Sequence, residues 1–116
     1  MPIERREISG AVVVQTLVAN ISNSSAFFAT TDASSFPSGN TNPFVIVIER
    51  ATANEEKILV SSRNANSFTV ASRGYDGTTA VAHAAGSTVD HVLDANAVQS
   101  MNTTVFDGQI LYWMGV

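Results

Sequence analysis

An aspartate and two histidines that could do chemistry lie in a stretch made mainly of small residues. Residues 73–91 read RGYDGTTAVAHAAGSTVDH and contain Asp76, His83 and His91. A carboxylate and two imidazoles are groups that acid–base catalysis or a metal site would use. The two histidines are eight residues apart, however, which is neither HxH nor HxxxH spacing, and no third ligand lies at a diagnostic distance. The spacing therefore argues against a metal site.

Other catalytic patterns are also missing from the sequence. No GxSxG motif is present to suggest a serine hydrolase. Glu55 and Glu56 are adjacent, so in a strand they point to opposite faces and cannot act as a catalytic pair. The segment 74–77 lacks the lysine and the glycine spacing of a phosphate-binding loop or a dinucleotide fingerprint. We therefore expect no enzymatic activity and no cofactor.

A structural role accounts for more of the same stretch. Tyr75–Gly77 has the form of a tight turn, in which Asp76 bonds to backbone amides, and 80–85 is predicted to form a short helical turn that Gly86 ends. We expect Arg73 to hold the turn through carbonyl oxygens or Asp76, and the ring of Tyr75 to cover the edge of the core with its hydroxyl in water. His83 is expected to be half-buried, with its ring bonded to the backbone. The predicted structural residues are Arg73, Gly74, Tyr75, Asp76, Gly77, His83 and Gly86.

Composition limits the classes of partner. The 116 residues suit one domain, only 14% of them are charged, and the net charge is -4. Without a basic patch, nucleic acid is not an expected partner. The sequence has no cysteine. Neither a signal peptide nor a membrane span is evident, so synthesis in a cytoplasm and no membrane partner are expected.

Runs of β-branched and aromatic residues, separated by turn signals, predict an all-β fold. A small β-barrel or β-sandwich is expected, with the helical turn near 80–85 and a short C-terminal helix for which Asp94 is a candidate N-cap. Three consecutive strands in the centre should form a meander, with left-handed asparagines in the turn 63–66. The predicted strands are 26–30, 44–49, 56–61, 67–71 and 88–93, and the predicted helix is 96–106.

The chain divides into three expected parts: an N-terminal arm over 1–22, a β module over 23–95, and a C-terminal helix with an apolar tail over 96–116. The tail segment 110–116 contains the only tryptophan and no charge, so it should dock either as a last core strand or on another subunit. The interface candidates are Val12, Val13, Val14, Leu111, Tyr112, Trp113 and Met114.

The stretch from Arg73 to Val89 resembles a module that recurs in structural proteins of tailed bacteriophages. It follows the pattern R-G-x-x-G-T-x-A-x-x-H-x-x-G-x-x-V after a strand that ends in Thr69-Val70, and the Phe36-Pro37 pair and the run 43–48 fit as well. The module is similar to the N-terminal attachment domains of tail-fibre and minor tail proteins. The resemblance covers about residues 1–100. It implies a non-enzymatic virion protein, an adaptor of the tail, baseplate or fibre, that associates as a homotrimer and binds other virion proteins.

A tail fibre would continue into a shaft and a receptor-binding tip, whereas this sequence stops at Val116. An adaptor, a truncated fibre, or a capsid decoration protein of the cement or head-fibre type would each fit that length. A different class, a small carbohydrate- or peptide-binding module with Tyr75 and Trp113 as stacking surfaces, also remains open.

Overall fold

The computed structural model describes residues 5–8, 12–92, 94 and 98, and these residues form one antiparallel sheet of six strands. No helix among them is long and apolar enough to cross a membrane. The strands are β1 (Gln15–Thr16), β2 (Phe27–Ala29), β3 (Phe44–Ile48), β4 (Glu56–Asn64), β5 (Ser67–Tyr75) and β6 (Thr88–Val92).

The centre of the sheet is the predicted meander of β3, β4 and β5. Every residue of β3 is buried, as expected for an uninterrupted apolar strand covered on both faces. In β4 the buried positions Glu56, Ile58 and Val60 alternate with half-buried ones, so one face of this strand points into the core. The register between β4 and β5 shifts three times between Lys57 and Ser62, which marks bulges in this long hairpin.

The sheet curls so that its two edge strands, β1 and β2, approach each other. Its strand order is β1-β6-β3-β4-β5-β2. An isolated bridge joins Leu17 to Thr30, and the Val18 amide donates to the Ala29 carbonyl at 3.1 Å, which connects the ends of β1 and β2. We call this contact the seam. The result is a curled half-barrel, and the expectation of an all-β fold is confirmed.

An aromatic cluster fills the inside of the half-barrel. The rings of Phe28 and Phe68 stack with centroids 4.8 Å apart, and Phe36 meets Phe68 edge-on at 5.4 Å. Leu17 and Ile21, which come from the predicted N-terminal arm, are buried in the same core. Each fully buried side chain of this size contributes roughly 1.5–3 kcal/mol, so the segment before residue 23 adds to the stability of the sheet.

The helical turn expected at 80–85 is wrong. His83 instead lies in extended backbone and exchanges hydrogen bonds with Ile21, at 3.0 Å from its amide and 2.9 Å to its carbonyl. The chain then turns at Ala84–Ser87, where Gly86 has a φ of 90° and the Ser87 amide donates to the Ala84 carbonyl at 3.1 Å. Backbone pairing with a distant segment replaced the local helix that the small residues suggested.

The predicted helix 96–106 lies outside the described residues except for Val98. The Val98 amide donates to the Asp94 carbonyl at 3.3 Å, which is the first helical bond that an N-cap residue accepts. The β4–β5 turn also differs in detail from the expectation, because Ala65 takes the left-handed conformation, with a φ of 54°. Asn66 instead accepts a hydrogen bond from the Ala33 amide at 2.8 Å and so holds a neighbouring loop.

Candidate functional site

A buried carboxylate lies at the centre of the polar residues. Glu56 shares the inward face of β4 with Ile58 and Val60, and its side chain is completely shielded from solvent. A carboxylate in this position needs compensating charge and hydrogen bonds, because removing it from water carries a large free-energy penalty. The residues around it supply both.

Arg73 provides the main compensation for Glu56. Its Nε and Nη2 atoms donate to the two carboxylate oxygens at 2.8 and 2.9 Å, in the forked geometry that a guanidinium favours. Its remaining donors reach the carbonyl oxygens of Ser22, Ser25 and Val81 at 2.7–3.1 Å. Arg73 does bind carbonyl oxygens, but they lie outside the Tyr75–Gly77 turn that it was expected to hold, and its carboxylate partner is Glu56 rather than Asp76.

Two backbone amides complete the shell around Glu56. The amides of Gly74 and Val81 donate to its oxygens at 2.8 and 3.2 Å. Burial raises the pKa of Glu56, but the hydrogen bonds from Arg73, Gly74, His83 and Val81 outweigh it and hold the pKa below its usual value.

Gly74 is required by this close packing. Its φ is 55°, and a Cβ built on it would lie 2.8 Å from the amide nitrogen of Ala80. Any side chain would therefore meet backbone as well as the strain of the left-handed region. The glycine lets its own amide reach Glu56 while the chain folds back to bring Val81 to the same carboxylate.

His83 joins Glu56 to a second carboxylate. Its Nε2 lies 2.8 Å from Oε1 of Glu56, and its Nδ1 lies 2.7 Å from Oε2 of Glu49. The ring is fully buried and both nitrogens face carboxylates, so the expected half-buried ring bonded to the backbone is wrong. An imidazolium can donate to both carboxylates, whereas a neutral ring can donate to only one. We call Glu49, Glu56, Arg73 and His83 the Glu56 cluster.

The tight turn predicted at Tyr75–Gly77 is present. Asp76 and Gly77 have φ values of 57° and 84°, and the Thr78 amide donates to the Tyr75 carbonyl at 3.2 Å. Two positive φ values in succession are typical of a type I′ turn. The Asp76 carboxylate binds Lys57 at 2.8 Å, a partner that the prediction did not include.

Tyr75 contacts the N-terminal segment. Its hydroxyl accepts a hydrogen bond from Arg6 Nη2 at 2.6 Å, so the hydroxyl expected to be in water is instead bonded to protein. The guanidinium of Arg6 also lies over the ring, 5.8 Å from its centroid, and pairs with the buried carboxylate of Asp94 at 3.1 Å. One face of the ring is thereby covered, which argues against Tyr75 as a stacking surface for a ligand.

His91 lies in a different environment. Its ring meets Phe36 and Phe44 edge-on, at centroid distances of 6.5 and 5.9 Å, and its Nδ1 lies 3.1 Å from the Val45 carbonyl. Desolvation lowers its pKa, and the Val45 carbonyl and the Asp90 charge only partly offset this.

Asp76, His83 and His91 therefore have separate partners. Across residues 5–8, 12–92, 94 and 98, no three acidic or histidine side chains form a group suited to a metal ion.

A shallow cleft of about 400 Å³ opens beside the Glu56 cluster. Three segments form it: the end of the N-terminal segment, the β3–β4 turn, and the extended stretch that contains His83. Its lining includes Asn20, Glu49, Asn54, Ala82, His83 and Ala84. We call it the His83 cleft.

Large apolar side chains lie on the outside of the seam. Val18 is 54% exposed and Phe27 64% exposed, and Val14, just before β1, is 51% exposed. Val18 lies opposite Ala29, and Phe27 is two residues from Ala29 on the same face of β2, so the two side chains are diagonal neighbours. We call Val18 and Phe27 the seam patch; Val14 lies four residues before Val18 and outside the patch.

The interface candidates divide into three groups. Val12 packs against the core within its own chain, whereas Val13 and Val14 are exposed. Leu111, Tyr112, Trp113 and Met114 lie outside the described residues. The interpretation of the apolar tail stays a prediction.

Sequence reasoning missed Glu49, Glu56 and Arg6 as parts of the polar network. One signal was available, because the alternation in β4 places Glu56 on the same face as Ile58 and Val60. An acidic residue at an inward position indicates a buried cation partner. No comparable local signal marks Arg6, whose partner Asp94 is 88 positions away.

What the arrangement can do chemically is limited by its hydrogen bonds. The oxygens of Glu56 and both nitrogens of His83 are engaged by other groups of the chain, so neither residue presents a free reactive atom to the His83 cleft. The Glu56 cluster therefore stabilises the fold, whereas the seam patch and the His83 cleft are exposed to solvent. No model of a known protein family matches the chain, and no curated protein matches it.

Proposed function

We propose that the protein is a non-enzymatic structural module of a tailed-bacteriophage virion, which associates as a homotrimer and attaches to other virion proteins of the tail, baseplate or fibre. The observation that carries this proposal is the seam patch. Val18 and Phe27 are each more than half exposed and are diagonal neighbours on the outside of the seam. Exposed apolar side chains gathered in one place are typical of protein interfaces.

The Glu56 cluster supports the non-enzymatic part of the same proposal. Asp76, His83 and His91, the residues of the 73–91 stretch that looked most able to do chemistry, are each bonded to other groups of the chain. Arg73, Gly74 and His83 are also positions of the phage-module pattern, and all three contact Glu56. A pattern whose residues share one buried contact network is better explained by a requirement of the fold than by catalysis.

Solution mass tests the self-association. Light scattering coupled to size-exclusion chromatography should give a trimer, and a Val18→Ser/Phe27→Ser variant should give a lower mass with an unchanged far-ultraviolet spectrum. Ile8→Ser is the matched control, because Ile8 is also exposed, at 58%, but does not belong to the seam patch. A parent protein that stays monomeric at micromolar concentrations, or a double variant that associates normally, would overturn the proposal for this surface.

The virion assignment needs a separate measurement. The protein should sediment with intact particles purified from the phage that encodes it, and antibody labelling in electron micrographs should mark the tail. Labelling of the capsid would favour a decoration protein, and absence from the particles would remove the virion assignment.

A further inference from the structure

We propose that the His83 cleft receives the side chain of a lysine from a partner protein. This inference rests on the proposed function, because such a lysine comes from another polypeptide in the assembly. The argument starts from Glu49, whose side chain is 25% exposed at the cleft. Its Oε2 is bound to His83, whereas its Oε1 makes no hydrogen bond within the part of the chain that the structure describes.

Two arginines near Glu49 and His83 already have other partners. The nearest lysine or arginine in sequence, Arg50, pairs with Asp90 at 3.0 Å on the neighbouring strand. Arg73, which belongs to the Glu56 cluster, donates to Glu56 and to three carbonyls. The cluster contains two carboxylates and one guanidinium, so it has one net negative charge with a neutral His83 ring and no net charge with an imidazolium. In both states it offers no excess positive charge to repel a cation.

The remaining polar groups of the cleft suit an ammonium group. Asn54 has no side-chain hydrogen bond among the described residues, and its amide oxygen is an available acceptor. Asn20 accepts from the Ala85 amide at 2.8 Å, and its oxygen has a second lone pair. Together with Glu49 Oε1 they make three acceptors for the three donors of a lysine, one from the N-terminal segment and two from the β3–β4 turn.

The walls of the cleft suit the rest of the side chain. Ile21, Ala82 and Ala84 line it and offer apolar contact to a four-carbon stem. An arginine is a poorer fit, because its fork needs both oxygens of a carboxylate and Oε2 of Glu49 is already held by His83. The geometry therefore favours lysine over arginine.

A titration of the intact protein with Nα-acetyl-lysine methylamide, followed by nuclear magnetic resonance, tests the proposal. We expect shifts of the side-chain amides of Asn20 and Asn54 and of the backbone amides at 82–84. The Nε-acetylated form of the probe should give no shifts, and the arginine analogue should bind roughly tenfold more weakly. Equal binding of lysine and arginine, or binding of glucose at the same residues, would overturn the proposal.

Two variants locate the site. Glu49→Gln should weaken probe binding roughly tenfold or more, whereas Asp32→Asn, which removes the same charge from the loop after β2, should not change it. If Glu49→Gln disturbs the fold, Asn54→Leu alters the cleft and leaves the contact between Glu49 and His83 in place. Probe binding that survives Asn54→Leu, and also Glu49→Gln where that variant folds, would contradict the proposal.

The seam variants separate this proposal from the proposed function. Val18→Ser/Phe27→Ser should abolish self-association without changing probe binding. A protein that self-associates but ignores the lysine probe would refute the cleft proposal alone. A monomeric parent that binds the probe would refute the proposed assembly alone.

Discussion

His83 and His91 lie eight residues apart, yet their rings are held by different kinds of contact. His83 lies between the carboxylates of Glu49 and Glu56, at 2.7 and 2.8 Å. His91 meets the rings of Phe36 and Phe44, and desolvation lowers its pKa because the Val45 carbonyl and the charge of Asp90 offset it only in part. The comparison shows that a buried histidine can belong to an ionic network or to an apolar core in the same small sheet, and that its neighbours decide which.

The largest expected effect on stability comes from removing Glu56, which belongs to the ionic network around His83. Glu56→Ala leaves the guanidinium of Arg73 in a largely buried position without its carboxylate, so we expect a loss of about 3–5 kcal/mol in the free energy of unfolding. Urea denaturation measures it. The matched control is Glu55→Ala, which removes only a hydrogen bond to the Ala51 amide and should cost about 1 kcal/mol. Similar losses for both variants would show that the Glu56 cluster does not stabilise the fold.

A matched pair of glutamine variants gives the next effect. His83→Gln can replace at most part of the contacts with two carboxylates, so we expect a loss of roughly 1.5–3 kcal/mol. His91→Gln keeps a donor for the Val45 carbonyl and should lose about 1 kcal/mol less than His83→Gln. Thermal and urea unfolding of the two variants under identical conditions provide the comparison. A larger loss at His91 would reverse the assignment of roles.

The smallest effect concerns pH. The pKa of His91 is lowered by burial in the folded protein, so below the ordinary value near 6.5 the unfolded chain takes up a proton that the folded chain resists. Stability contributed by His91 is therefore present above about pH 6.5 and is lost as pH falls below it. His91→Gln should lose less stability than the parent between about pH 7.5 and about pH 5.5. Identical pH profiles for the two proteins would contradict this.

Much of the sheet could be predicted because its signals are local. The run FVIVI in β3 is uninterrupted and apolar, and β4 alternates with a period of two. The turn at Asp76–Gly77 follows from residues that tolerate positive φ. In each case the residues that determine the structure lie next to one another in the chain.

The polar network was harder to predict because its partners are distant. His83 binds Glu49 from 34 positions away, and the extended backbone at His83 depends on pairing with Ile21. The small residues at 80–85 favour a helix when they are considered alone, and the tertiary pairing overrides that preference. Choosing among all possible carboxylate partners requires the topology of the sheet, which local patterns do not contain.

The ion pair between Arg6 and Asp94 joins two segments that are far apart in the chain, and Tyr75 holds it against the end of β5. A tensile load applied between these segments would act first on that ion pair, before it reached the hydrogen-bonded ladders of the sheet. The two segments would then be fastened directly to each other, so that the load would pass between them without separating a strand from the sheet.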